Sequence, residues 1–103
     1  MLTIKQINRI YQKGFELRLK KNPHPAFKGE IDPATLEIFI YQANVESQYD
    51  EDITILHEFL HARDEINSAD SPAKCSSIDK EAIRTYKDKP HVLEYIKDLY
   101  YLK

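Results

Sequence analysis

The chain reads as an α+β domain: an N-terminal backing helix, a small three-stranded antiparallel sheet, and three further helices. Three observations point there. Apolar residues recur at helical spacing up to Gly14, alternate strictly from Phe15, and return to helical spacing beyond Asp52. Pro23, Pro25, Pro33, Pro72 and Pro90 fall between these blocks rather than inside them. A length of 103 residues with 42% hydrophobic content suits one core and one domain, residues 1–103.

Thr3 and Gln6 stand at capping-box spacing, and Leu2 and Ile7 at hydrophobic-staple spacing, so the first helix starts at Ile4. Ile4, Ile7, Ile10 and Tyr11 form its apolar stripe, and Gly14 is placed to end it. Phe15, Leu17 and Leu19 then alternate with Glu16, Arg18 and Lys20, which reads as a half-buried strand. Asn22-Pro23-His24-Pro25 is a turn or loop, since two prolines remove donors and fix φ; His24 is expected to be exposed and structural. A short strand over 27–31 and a turn at Asp32-Pro33 follow. Residues 36–41 make the strongest strand, with Leu36, Ile38 and Ile40 on one face and Glu37, Phe39 and Tyr41 on the other. Short connections make three antiparallel strands the economical arrangement.

Helical spacing resumes at Asp50 or Asp52 and runs to Ile66. Ile53, Leu56 and Leu60 lie on one flank of His57, and Ile55, Phe59, Ala62 and Ile66 lie behind it. The polar exceptions, His57, Glu58, His61 and Asp64, cluster on the remaining face. Residues 67–77 form a polar loop containing Pro72. The next helix begins near Ser76 or Ser77, with Ser76 and Asp79 at capping spacing. It carries Glu81, Ala82, Ile83 and Tyr86 and stops before Pro90, which opens the last helix. That helix displays Val92, Leu93, Tyr95, Ile96, Leu99, Tyr100 and Leu102.

Composition excludes several classes. A net charge of −2 with intermixed Lys and Glu carries no nucleic-acid footprint. No apolar run approaches the ~18 residues of a membrane helix, so no membrane insertion is expected. The N-terminus lacks the charged and apolar regions of a signal peptide. Cys75 is the single cysteine, which excludes an internal disulfide and suits a reducing, cytoplasmic setting.

Residues 57–61 read His-Glu-Phe-Leu-His. On a helix this places two imidazoles at i and i+4 on one face, with a carboxylate rotated by about 100°. Neutral nitrogens at that spacing share one Zn²⁺, and the offset glutamate takes a proton from a metal-bound water. A zinc site needs a third protein ligand. The metzincin extension is excluded, because Asp64 and Asn67 occupy the places of its glycine and its third His or Asp. Asp64 shares the His61 face and is expected to accept a bond from an imidazole N–H. The best third ligand is Glu81, in the first turns of the following helix; Asp79 competes but is better explained as the capping-box acid. Cys75 is most simply a small residue before a helix, with an auxiliary zinc-ligand role as the alternative.

His57-Glu58-x-x-His61, a loop, and Glu81 on a second helix resemble the gluzincin zinc metallopeptidases. With one N-terminal helix, a small sheet and this length, the chain most resembles the minigluzincins, minimal soluble relatives of thermolysin and of the catalytic cores of integral-membrane metallopeptidases. The resemblance implies a zinc metalloendopeptidase acting on a peptide or protein substrate. It implies zinc held by His57, His61 and Glu81, Glu58 as general base and acid, and residues 36–41 as the rim that pairs with extended substrate. Ala43-Asn44 matches the Asn/Ala edge of thermolysin-like clefts in composition only. Many gluzincins carry Asp four residues after the Glu ligand, where this chain has Thr85. The carboxylate supporting a histidine must then come from elsewhere, Asp64 being the candidate, or be missing. Tyr86 and His91 are candidates for the oxyanion donor.

These readings divide the domain into a catalytic scaffold, 1–89, and a C-terminal helix, 90–103. The apolar face of that helix either packs on its own core, or occupies the cleft as an inhibitory segment of a latent zymogen, or crosses to a second copy to make a homodimer. The alternative function is a catalytically silent, zinc-stabilised interaction module.

Overall fold

A computed structural model of the chain describes residues 1–67 and 75–100, without the side chains of Cys75 and Ser76. The loop around Pro72, the side-chain roles assigned to Cys75 and Ser76, and the apolar Leu102 lie outside the described residues. The order is α1 (Ile4–Lys13), β1 (Glu16–Lys20), β2 (Gly29–Asp32), β3 (Glu37–Tyr41), α2 (Gln48–Ile66), α3 (Cys75–Asp88) and α4 (Pro90–Leu99).

The capping box forms: Gln6 N–H donates to Thr3 Oγ1 at 3.2 Å, and Thr3 N–H donates to Gln6 Oε1 at 3.0 Å. Gly14 ends α1 at φ 105°, where a Cβ would be strained. Ile7, Ile10 and Leu2 are fully buried, while Tyr11 turns to the helix edge and is 46% exposed, so it leaves the expected stripe.

The sheet is mixed, in the order β1-β3-β2, which corrects the antiparallel expectation. β1 runs parallel to β3, with Leu17 opposite Ile38 and Leu19 opposite Ile40. β2 runs antiparallel to β3, with Ile31 opposite Ile38 and Gly29 opposite Ile40. A meander would have put β2 in the middle. Instead β3, whose Ile38 and Ile40 are wholly buried, takes the centre, where both of its backbone edges are paired. The chain between β1 and β3 includes all of β2 and is long enough for a parallel return. The β2–β3 turn is tight: Asp32 Oδ1 accepts from Ala34 N–H at 3.0 Å, and Leu36 adopts φ 58°.

Ser47 caps α2, accepting from Asp50 N–H at 3.1 Å, so the helix begins a few residues earlier than the periodicity indicates. α2 is the hub, packing on α1, α3, β2 and β3. Its Ile55, Leu56, Phe59, Leu60 and Ala62 are buried with Ile78 and Ala82 of α3. Thr85 completes the buried stripe of α3; its hydroxyl donates to Glu81 C=O at 2.8 Å. Ser76 lies inside α3, not at its N-cap.

Pro90 is the first residue of α4, as expected. Val92, Leu93 and Ile96 are buried in the chain's own core, Lys97 Nζ lies 3.0 Å from Asp52 Oδ1, and Tyr95 Oη donates to Asn8 Oδ1 at 2.5 Å. Through Tyr100 the C-terminal helix therefore packs on the chain's own core. Among the described residues, no helix is long and apolar enough to cross a membrane.

Candidate metal centre

His57 and His61 lie on consecutive turns of α2, and their rings meet at 65° with centroids 4.7 Å apart. Their Nε2 atoms converge to 3.0 Å. His57 Nδ1, on the far side of its ring, lies 2.6 Å from Asp79 Oδ1 of α3. A carboxylate there favours the tautomer with the proton on Nδ1, which makes Nε2 the acceptor nitrogen, facing His61.

Two imidazole nitrogens facing each other at this distance share a hydrogen bond, and with both in the lone-pair form they suit a cation. At the ~2.05 Å length usual for Zn–N bonds, a tetrahedral angle needs nitrogens about 3.3 Å apart, so the rings need part by only tenths of an ångström. Donor chemistry and spacing therefore fit Zn²⁺, and they fit other imidazole-binding metals as well. Glu58 joins the cluster: one donor atom from each of His57, Glu58 and His61 lies within 4.8 Å of the others.

Glu58 is only 5% exposed. Burial, reinforced by the charges of Glu30 and Asp79, pushes its carboxyl up to about 7. His61 is lowered from the usual imidazole value, chiefly by burial and then by its neighbour His57. His57 and Glu58 face a cleft of about 410 Å³, lined on one side by Ala26, Phe27 and Gly29 and on the other by Ile53, Thr54 and Asp79; His61 is not part of its lining. Lys28 also lines it, but its Nζ is held 2.9 Å from Asp50 Oδ2.

The lip of the cleft is organised from behind. His24 Nδ1 accepts from Ala26 N–H at 3.0 Å and Phe27 N–H at 3.1 Å, and its ring packs between Phe27 and Tyr41. Asn44 Nδ2 donates to His24 C=O at 2.5 Å and Phe27 C=O at 2.8 Å. His24 is structural, as expected, but half-buried, and Asn44 clamps the loop instead of forming a cleft edge.

Glu81 is not brought to the histidines. Its Oε2 accepts from Arg63 Nη1 at 2.9 Å, and Arg63 also grips Asp64 Oδ1 through Nη2 at 2.8 Å. Arg63 thus takes both the expected third ligand and the expected imidazole acceptor. Helix phase explains the outcome. Two residues apart on a helix is about 200° of rotation, so Asp79 and Glu81 lie on opposite flanks of the buried Ile78–Ala82–Thr85 stripe. Once Asp79 faces His57, Glu81 faces away. Asp79 supplies the histidine-supporting carboxylate that Thr85 could not.

Two further expectations are corrected. Tyr86 packs edge-on against Tyr49 at 5.0 Å and lines a separate groove with Asp52 and Leu93, while His91 is exposed on α4; neither lines this cleft. The strand 36–41 cannot be the rim, because β1 and β2 occupy both of its edges. The free edge beside the cleft belongs to β2. Sequence reasoning missed Arg63, Gly29 and the role of Asp79, and only the α3 stripe would have signalled the last. No protein-family model matches the chain, and no match was found among curated proteins or solved structures.

Proposed function

We propose that this chain is a zinc-dependent peptidase whose metal is held by His57 and His61, the two protein ligands in place while Glu81 binds Arg63, with Glu58 as general base. The observation that carries the reading is the convergence of the two Nε2 atoms to 3.0 Å beside a carboxylate that is 5% exposed and opens into a cleft. A bound Zn²⁺ would polarise a peptide carbonyl and acidify a water. Asp79 orients His57. Glu58, nearly neutral-tuned by burial, receives the proton of the attacking water and delivers it to the leaving amine. β2 offers its unpaired edge to an extended chain, with Phe27 and Ile53 as apolar walls.

A second reading is a zinc-stabilised interaction module without turnover. It is favoured by Glu81 being bound to Arg63 and by the lack, among the described residues lining the cleft, of Tyr86 or His91 as oxyanion donor. One comparison separates the two. Zinc content and hydrolysis of a peptide library are measured for wild type, Glu58→Ala and Glu81→Ala. The peptidase reading expects cleavage by wild type, none by Glu58→Ala, and zinc in both. Equal zinc without cleavage by wild type selects the silent module. Loss of zinc in Glu81→Ala would show that Glu81 leaves Arg63 when metal binds.

A further inference from the structure

We propose that Gly29 is a positioning residue: its missing Cβ lets the edge strand β2 lie against the Glu58 side chain and fixes where that carboxylate stands in the cleft. The inference rests on the peptidase reading for its consequence, and on geometry for its substance.

Gly29 opens β2 without a left-handed backbone, since Gly14 is the glycine with positive φ. Glycine is needed here for space. A Cβ at residue 29 would stand 2.8 Å from Thr54 Cγ2, 3.0 Å from Phe39 C=O and 3.1 Å from Glu58 Cγ. Thr54 and Glu58 are one turn apart on the face of α2 that meets the sheet.

These three neighbours differ in what they can give. The Phe39 carbonyl is backbone of the central strand. The Thr54 methyl is set by its own hydroxyl, which donates to Asp50 C=O at 2.7 Å, and Thr54 is only 8% exposed. Glu58 alone can rotate beyond its Cβ. Any side chain at residue 29 therefore transfers its overlap to the Glu58 methylenes and moves the carboxylate. The three atoms nearest such a Cβ belong to Thr54, Phe39 and Glu58, and neither histidine is among them. A displacement of ~1 Å in a reacting group costs about 100-fold in rate.

The test compares wild type, Gly29→Ala and Gly29→Ala/Thr54→Ser, all zinc-loaded. Serine keeps the hydroxyl that bonds Asp50 but deletes the methyl at 2.8 Å, the shortest contact, so the double variant regains part of the lost thermal stability while the contacts with Phe39 C=O and Glu58 remain. We expect Gly29→Ala to melt lower and to lose about 100-fold in kcat with KM little changed. In the double variant the melting temperature recovers in part and kcat does not. If kcat recovers in step with melting temperature, Gly29 is merely structural and the proposal falls. A readout independent of turnover accompanies this: the Glu58 side-chain carboxyl resonance in ¹³C-glutamate-labelled protein. It should shift in both variants, and an unmoved resonance in both overturns the proposal. If wild type cleaves no peptide while the resonance shifts, the peptidase reading fails and the positioning role stands.

Discussion

Removing the Asp79 carboxylate tests the metal centre at its most specific contact. Asp79 Oδ1 is 2.6 Å from His57 Nδ1, and the two side chains are 58% and 18% exposed. Partners of this kind contribute about 10- to 100-fold in metal affinity. Water competes at a carboxylate so open, which places the effect near the lower end: about tenfold, or ~1.4 kcal/mol, for Asp79→Ala. Asp79→Asn keeps an acceptor oxygen without the charge. Charged hydrogen bonds are about twice as strong as neutral ones, so roughly threefold is expected. The assay is competition for Zn²⁺ against a chromophoric chelator at neutral pH, with Glu81→Gln as the control that leaves affinity unchanged. Unaltered affinity in Asp79→Ala, or an equal loss in Glu81→Gln, would refute the assignment of Asp79 to His57 and return Glu81 to the metal.

Phe59 is fully buried on the hub helix, so Phe59→Ala should destabilise the fold by about 3–5 kcal/mol; urea unfolding should show a lower midpoint at unchanged slope. Asn44→Ala deletes the bonds to His24 C=O and Phe27 C=O. Amide exchange at His24, Ala26 and Phe27 should accelerate by about tenfold per ~1.4 kcal/mol lost, while α2 exchange stays fixed; uniform acceleration would deny that the clamp is local. Tyr41 is raised to about 12, by burial first and by its bond to Glu30 second. A hydroxyl raised on folding contributes stability that is fully present below its unfolded value near 10 and lost as pH rises through its folded value. Wild type should therefore lose stability between pH 10 and about 12 more steeply than Tyr41→Phe, and parallel curves would contradict it.

What the sequence made legible follows from which signals are local. The capping box of Thr3 and Gln6, the terminator Gly14 and the opening Pro90 each act within one turn, and each forms as read. The convergence of His57 and His61 is equally local, being fixed by i, i+4 spacing on one helix. Strand order was not legible, because alternation says which face of a strand is apolar and nothing about which neighbour it pairs with. Glu81 shows the same limit across helices. Chain distance from His61 tells how far a carboxylate can reach, whereas the phase of α3 decides where it points. That phase is set by Ile78, Ala82 and Thr85, and a threonine buried in an apolar stripe is hard to recognise beforehand. Arg63, charged yet 13% exposed, likewise reads as surface until its two acidic partners are seen around it.

Lys89 is the single residue between α3 and α4, so the end of one helix is tied closely to the start of the next. Turning α3 far enough to swing Glu81 round to the histidines would wrench Val92, Leu93 and Ile96 from their seats. Ligation by Glu81 would thus be coupled to C-terminal packing. An ion that demanded Glu81, remote from α4, would therefore be felt at the C-terminus.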